Sequence, residues 1–424
     1  MVTDEGLFRY RPMDPALRIG LLTYRGNPRS GGQGVYVRYL SRALVALGHE
    51  VDVFSGQPYP TLDAGVNLTR VPSLDLYRAD DPFRRPGISE FRDWIDALEY
   101  GAMCTAAFPE PLTFSLRAAR VLRKKVGELD VIHDNQCLGY GILDIARRFP
   151  TVATIHHPIT IDHKLDRQNV TMGRRMSLAR WYAFTRMQRR VAPRIGHIIT
   201  ASGTGSRDAA SEYGIDPARI TVVHNGVDVD LFKPLEHIDR VPGRLITTTS
   251  ADVPLKGLVY LIEALAKLRT ERDVHLVVVG RPRPNGPVMK AIERFGATDH
   301  ISFESNIDSL RLTELYATSE VAIVPSLYEG FSLPAAEAMA CGVPVVATTG
   351  GSLPEVVGTN RATGILVPSR DVGALASAVG ELLDAPSLRV SMGRAGRERV
   401  LRLFTWAKAA ERTVEVYRKA IGQC

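Results

Sequence analysis

PSLYEGFSLPAAEAMACGVPVVAT, residues 325–348, is the stretch on which the fold turns. A short apolar run, Val321 to Pro325, precedes it and reads as a buried strand. Leu333 to Ala340 has helical spacing, and Pro334 is tolerated there because a first-turn N–H has no intrahelical partner to lose. Gly342 stops the helix and Pro344 to Ala347 supplies a second strand, which makes the segment a β-α-β unit. Glu329 falls in the loop, and Glu337, with seven residues between the two, sits just over one turn into the helix. The amides of Gly330, Phe331, Ser332 and Leu333 then point out of a helix N-terminus, a ready site for an anion or a hydroxyl. Such a terminus can hold a diphosphate, with carboxylates placed for sugar hydroxyls. Two glutamates at this spacing usually mean only a capped core helix; the complete string is far more specific.

The same alternation extends outward on both sides. Toward the C-terminus of residue 231, strands are predicted at Leu245–Thr249, His275–Val279, Ile301–Glu304 and Gly364–Val367, with helices at Leu258–Arg269, Leu310–Ala317, Asp371–Asp384 and Leu388–Leu403. Toward the N-terminus, Ala16 to Tyr24 is a strand, 25–34 a loop rich in Gly, Asn, Pro and Ser, Val35 to Leu47 a helix and Val51 to Phe54 a strand. Further strands are expected at Val131-Ile132, Thr151–Ile155, His197–Thr200 and Ile220–Val223. Between Gln57 and Leu129 the alternation fails, apart from a helix at Leu112–Val126, and an insertion is expected. The fold class is therefore α/β, two Rossmann-like doubly wound parallel-sheet domains: residues 1–230, residues 231–405, and a helix at 406–424 that crosses back to the first domain. Open sheets of this kind bind ligands at the carboxyl ends of their strands, so two facing edges make one interdomain cleft.

Other features limit the function classes. No run of about 18 apolar residues is present, so no spanning helix is expected. Residues 1–14 are polar and lack the order of a secretion signal, which predicts a cytoplasmic protein. Cys104, Cys137, Cys341 and Cys424 lie far apart, so neither a zinc site nor a disulfide framework is indicated. The formal charge is +7, and nine of the basic residues fall between Lys164 and Arg194 against one acid, Asp166. With Trp181, Tyr182 and Phe184 among them, this stretch reads either as a helix resting on the anionic inner face of a membrane or as one packing its aromatics inward. The second reading is preferred.

These motifs resemble family 4 of the retaining glycosyltransferases, of the GT-B architecture and the glycogen synthase and sucrose synthase-like superfamily. The resemblance runs from Arg18 to about Arg412 and is weakest at 57–129. It implies that Glu329 contacts a donor sugar, that the amides of Gly330 to Leu333 meet the sugar and diphosphate, and that Glu337 binds ribose hydroxyls. Gly31 and Gly32 match the glycine loop that approaches the diphosphate from the opposite domain. Lys256 matches a phosphate-binding lysine. Six residues earlier the family usually carries arginine and this chain has Ser250, so Arg281 or Arg283 is expected to compensate, or the reaction differs. His133 matches a histidine beside the reacting centre. Asn225-Gly226-Val227-Asp228 matches a turn leading into the linker. Tyr24, Asn27, His156 and His157 are expected on the acceptor side. The implied reaction is transfer of a hexose from a UDP- or GDP-linked donor to an acceptor hydroxyl (of a small molecule, lipid or polysaccharide) with retention, with no metal, no cofactor beyond the donor and no nucleic acid. A GT-B-fold epimerase or phosphorylase, or a non-catalytic sugar-nucleotide-binding subunit, are the alternatives.

Overall fold

The computed structural model describes residues 15–27, 32–78, 80–167, 171–249 and 251–422; Gly31 and Ser250 lie outside the described residues. Runs such as Ile19–Leu22 and Val321–Val324 carry no polar alternation because helices cover both faces of their strands. Seven strands form the first sheet: β1 (Arg18–Thr23), β2 (Glu50–Ser55), β3 (Val66–Arg70), β4 (Val131–Asn135), β5 (Thr151–Ile155), β6 (His197–Thr200) and β7 (Ile220–Val222). Six form the second: β8 (Arg244–Thr248), β9 (His275–Val279), β10 (Ile301–Glu304), β11 (Val321–Val324), β12 (Val345–Thr348) and β13 (Ile365–Val367).

The spatial orders are β3-β2-β1-β4-β5-β6-β7 and β10-β9-β8-β11-β12-β13, and the paired strands are parallel in both. Each sheet therefore reverses its winding once, between β1 and β4 and between β8 and β11. A crevice opens at such a switch point because the connections leave it on opposite faces.

Two crossings join the halves. Val227 N–H donates to Phe404 O at 2.8 Å, so the outgoing and returning chains lie side by side. A methyl built on Gly226 would fall 2.3 Å from Trp406 N, which leaves room only for glycine. The helix Trp406–Ile421 then packs on the first domain, with Trp406, Tyr417 and Ala410 in one core with Tyr36, Leu40 and Val131.

The stretch at 57–129 holds more than the single helix expected: β3, the helix Trp94–Cys104, and a helix at Glu110–Leu122 that tightens into a 3-10 turn at Arg123–Lys125. The basic stretch is three helices, Ile159–Asp166, Met172–Trp181 and Phe184–Val191. Trp181 and Phe184 turn inward against Phe108, while Arg186, Arg189 and Arg190 stay exposed, as expected of a packed helix. No helix among the described residues is long and apolar enough to cross a membrane.

Candidate active site

The two switch points face each other across a cavity of about 480 Å³. From the second domain, Lys256 and the loop Glu329–Pro334 line it. Lys256 ends a 3-10 turn, Pro254–Lys256, and Gly257 follows at φ +66°. A side chain on Gly257 would lie 2.0 Å from Pro325 O, so this glycine lets the lysine turn press against the end of β11. Lys256 Nζ donates to Glu329 Oε1 at 2.8 Å, and Ser326 Oγ donates to the same oxygen at 2.6 Å. Glu329 is 8% exposed, so its carboxylate is held rigidly by a cation and a hydroxyl at the cleft floor.

The helix Leu333–Ala340 begins at Ser332, which is left-handed at φ +70°, an uncommon conformation for a residue with a Cβ. Ser332 Oγ is buried with no hydrogen-bond partner among the described residues. Strain and an orphan polar atom at a helix N-terminus are what a ligand-binding loop carries before the ligand arrives. Glu337, one turn further, lies off the cavity wall, and burial pushes its carboxyl up to about 7. Arg281 and Arg283 are exposed and line, beside Asp252, a cavity of about 310 Å³ other than the one that Lys256 lines.

The first domain supplies the opposite wall. Gly32, at the start of the helix Gly32–Ala46, and Tyr24 line it, whereas Asn27 does not; its carbonyl packs 2.0 Å from where a Cβ on Gly34 would be. His156 and His157 follow β5 into the cavity. Gln136, left-handed at φ +55°, clamps them: its Oε1 accepts from His156 N at 2.7 Å and its Nε2 donates to His157 O at 2.6 Å. His156 Nε2 meets Asn135 Oδ1 at 2.7 Å, and burial together with His157 pushes the His156 pKa down to about 3. His157 Nε2 meets Asp162 Oδ2 at 2.8 Å. Asn225 also lines the cavity, with Oδ1 buried and unpartnered among the described residues.

His133 corrects an expectation. It does not reach the cleft: its side chain is fully buried, Nδ1 meets Tyr417 Oη and Nε2 meets Thr154 Oγ1, each at 2.7 Å. Burial pushes its pKa down to about 3, so it is a neutral ring with both nitrogens occupied inside the first domain. Neighbouring Asp134 is equally buried and accepts from the amides of Cys137 and Leu138, shaping the turn that carries Gln136. No group of three or more metal-ligating side chains occurs among the described residues.

Direct contacts hold the walls in register. Ser202 Oγ donates to Gly330 O at 2.7 Å, and Tyr328 Oη donates to Asp208 Oδ2 at 2.6 Å. Glu355 of the second domain accepts from Gly203 N and Thr204 N at 2.7 and 2.8 Å, the N-terminus of the helix Gly203–Tyr213 in the first. A carboxylate there satisfies orphan amides and meets the positive end of the helix. Gln136, Asp162, Tyr36 and Trp406 line the cavity without having been singled out in the sequence, and Tyr182, noted there only as an aromatic of the basic stretch, lines it too. Of these, Gln136 alone had a local signal, its position at the end of β4.

This cleft has counterparts in known proteins. Residues 30–231 match the description Glycosyltransferase Family 4 and residues 240–399 match Glycosyl transferases group 1. The chain is 50% identical over 409 residues to the MMP alpha-(1->4)-mannosyltransferase of Mycolicibacterium hassiacum, covering 96% of this chain and 99% of that one. The chain belongs to glycosyltransferase family 4. It is also 30% identical to D-inositol 3-phosphate glycosyltransferase 2 of Catenulispora acidiphila, covering 95% of each. Among solved structures, the sucrose-phosphate synthase of Thermosynechococcus elongatus superposes with a TM-score of 0.72 at 23% identity, over 96% of this chain and 100% of that chain. The Anabaena HepE protein in complex with UDP-glucose does so with 0.67 at 17%, over 95% and 100%. The glycosyltransferase thus has the GT-B fold of two parallel-sheet domains, and its cavity lies where the two switch points meet.

Proposed function

We propose that this glycosyltransferase moves a mannosyl residue from a nucleoside diphosphate mannose, UDP- or GDP-linked, to a hydroxyl of an uncharged saccharide, with retention and without a metal. The observation that carries the reading is the Lys256–Glu329 pair fixed at the mouth of a strained helix N-terminus, facing two histidines across the cleft. Departure of a nucleoside diphosphate builds negative charge on its phosphate oxygens. Lys256 and the amides of the Ser332 turn are fixed positive groups aimed at that charge, often the largest contribution to such a barrier. Glu329, anchored by Ser326, presents a carboxylate to hydroxyls of the donor sugar. Contacts across the cleft hold its two walls together.

Two observations support the finer assignments. The relative that is 50% identical is named a mannosyltransferase. Among the described residues lining the cavity, Lys256 is the single Lys or Arg, and the first-domain wall carries the carboxylate of Asp162. Among the described residues, an acceptor phosphate would find no cation on that wall, while saccharide hydroxyls would find His157, Gln136 and Asn225.

The test offers GDP-mannose, UDP-glucose and their alternates with either short mannosides or inositol phosphate, with and without EDTA. The expected product is an α-linked mannoside on the saccharide, identified by NMR, with EDTA making no difference. Transfer to inositol phosphate alone, a β-linked product, or activity lost to EDTA and restored by a divalent ion would each overturn the part it addresses.

A further inference from the structure

We propose that His157, oriented by Asp162, receives the hydrogen bond of the attacking acceptor hydroxyl through Nδ1; this rests on the acceptor being a hydroxyl compound, as proposed above. Three observations carry it. A carboxylate only accepts, so the 2.8 Å contact to Asp162 Oδ2 places a proton on Nε2 and leaves Nδ1 as the nitrogen that can receive a hydroxyl. The side chain is 36% exposed and lines the cavity, unlike His133, whose two nitrogens are both sealed. A methyl built on Gly330 would lie 3.5 Å from His157 Cβ, so the base of this side chain sits beside the loop assigned to the donor sugar. Its backbone is clamped by Gln136 and Asp162 lies on the helix Ile159–Asp166, so both ends of the pair are fixed by secondary structure.

In the transfer, the acceptor O–H bond breaks and a bond forms from that oxygen to the anomeric carbon, as the bond from carbon to phosphate oxygen breaks. The proton ends on the departing diphosphate. His157 holds the hydroxyl in place until the bond from carbon to phosphate oxygen breaks; the O–H then leaves Nδ1 and turns to the departing phosphate oxygen, which takes the proton, and Asp162 is a positioning residue that fixes the ring.

The experiment compares His157→Gln, His157→Asn and Asp162→Asn with the wild type for kcat, acceptor KM and the rise in unfolding temperature on adding nucleoside diphosphate. Asparagine places its amide oxygen near the Nδ1 position, whereas glutamine places its amide near Nε2. His157→Gln is expected to lower kcat on the order of 100-fold, His157→Asn to stay within about tenfold of wild type, and Asp162→Asn to fall between them. The thermal shift with nucleoside diphosphate should be unchanged in all three. Equal activities for the Gln and Asn variants, wild-type kcat in His157→Gln, or loss of the thermal shift would overturn the assignment. A wild-type enzyme that rejects saccharides but glycosylates another hydroxyl acceptor would sink the saccharide reading alone, and the same comparison would then run on that acceptor.

Discussion

The second-domain wall of the cleft comes from two short pieces of chain, the turn ending in Lys256 and the loop Glu329–Pro334, each attached to a strand end. The first-domain wall draws on Tyr24, Gly32, Gln136, His156 to Asp162, Tyr182 and Asn225, with Trp406 returning from the far end of the chain. A helix N-terminus and a neighbouring lysine are local devices, and one segment can encode them. A surface for an acceptor has no such unit. Its side chains meet because seven strands, their connections and the C-terminal helix pack together. Relatives named for different acceptors match this chain over nearly its whole length, as expected if the compact wall is common and the dispersed wall varies.

The sharpest way to break this contrast is on the compact wall. Lys256→Ala should lower kcat on the order of 10²- to 10³-fold, read in single-turnover assays with saturating donor. Retention of near-normal turnover would remove the lysine from the mechanism. Glu329→Gln keeps the shape but removes the charge paired with Lys256 and should cost on the order of 100-fold in kcat/KM, with the unfolding temperature little changed.

Glu355→Ala tests the contact that both walls share. It strips the carboxylate from the amides of Gly203 and Thr204, so about 1–2 kcal/mol of stability should go, with donor KM rising. Calorimetry and initial rates check both; an unchanged donor KM would show that the walls stay in register without it.

Glu337 gives a pH signature. Burial raises its folded pKa to about 7 from the ordinary value of 4.5, so its favourable contribution to stability is complete below 4.5 and lost as pH rises through about 7. If Glu337 accepts ribose hydroxyls, as the family resemblance implies, the carboxylate form present above that value is the one that does so. Donor affinity should therefore fall as pH drops below about 7, by at most about tenfold per unit, and Glu337→Gln should flatten the profile. A wild-type profile already flat between pH 6 and about 8 would detach Glu337 from the donor.

The smallest effect on turnover is expected at His133. His133→Asn should cost about 1–3 kcal/mol of stability by leaving Tyr417 and Thr154 with one lost partner, while kcat stays within about threefold. A large loss of kcat in a stably folded variant would return this histidine to the reaction.

Much of the fold was legible in advance because parallel strands buried on both faces are written as short apolar runs, and the runs at Val321–Val324 and His275–Val279 are nearly uninterrupted. The helix at Leu333–Ala340 was legible from its spacing and its Pro334. The region 57–129 was not: the burial of β3 shows only intermediate and exposed positions, so an edge strand left no apolar run to find. His133 misled because a strand-end histidine looks the same in sequence whether its ring faces the cleft or the core. Its orientation follows from the register that sets Leu21 beside it and from Tyr417, 284 residues away.

By itself, then, the sequence determined the two wound sheets, the cleft between them and the Glu329 to Glu337 segment at its edge, because each depends on periodicity or on backbone groups of neighbouring residues. Only the tertiary structure decided that Lys256 pairs with Glu329, that Arg281 lies in a separate cavity, and that His157 with Asp162 rather than His133 faces the donor loop. Those outcomes depend on which side chains the packing of distant segments leaves pointing into the cleft, and no local pattern records that choice.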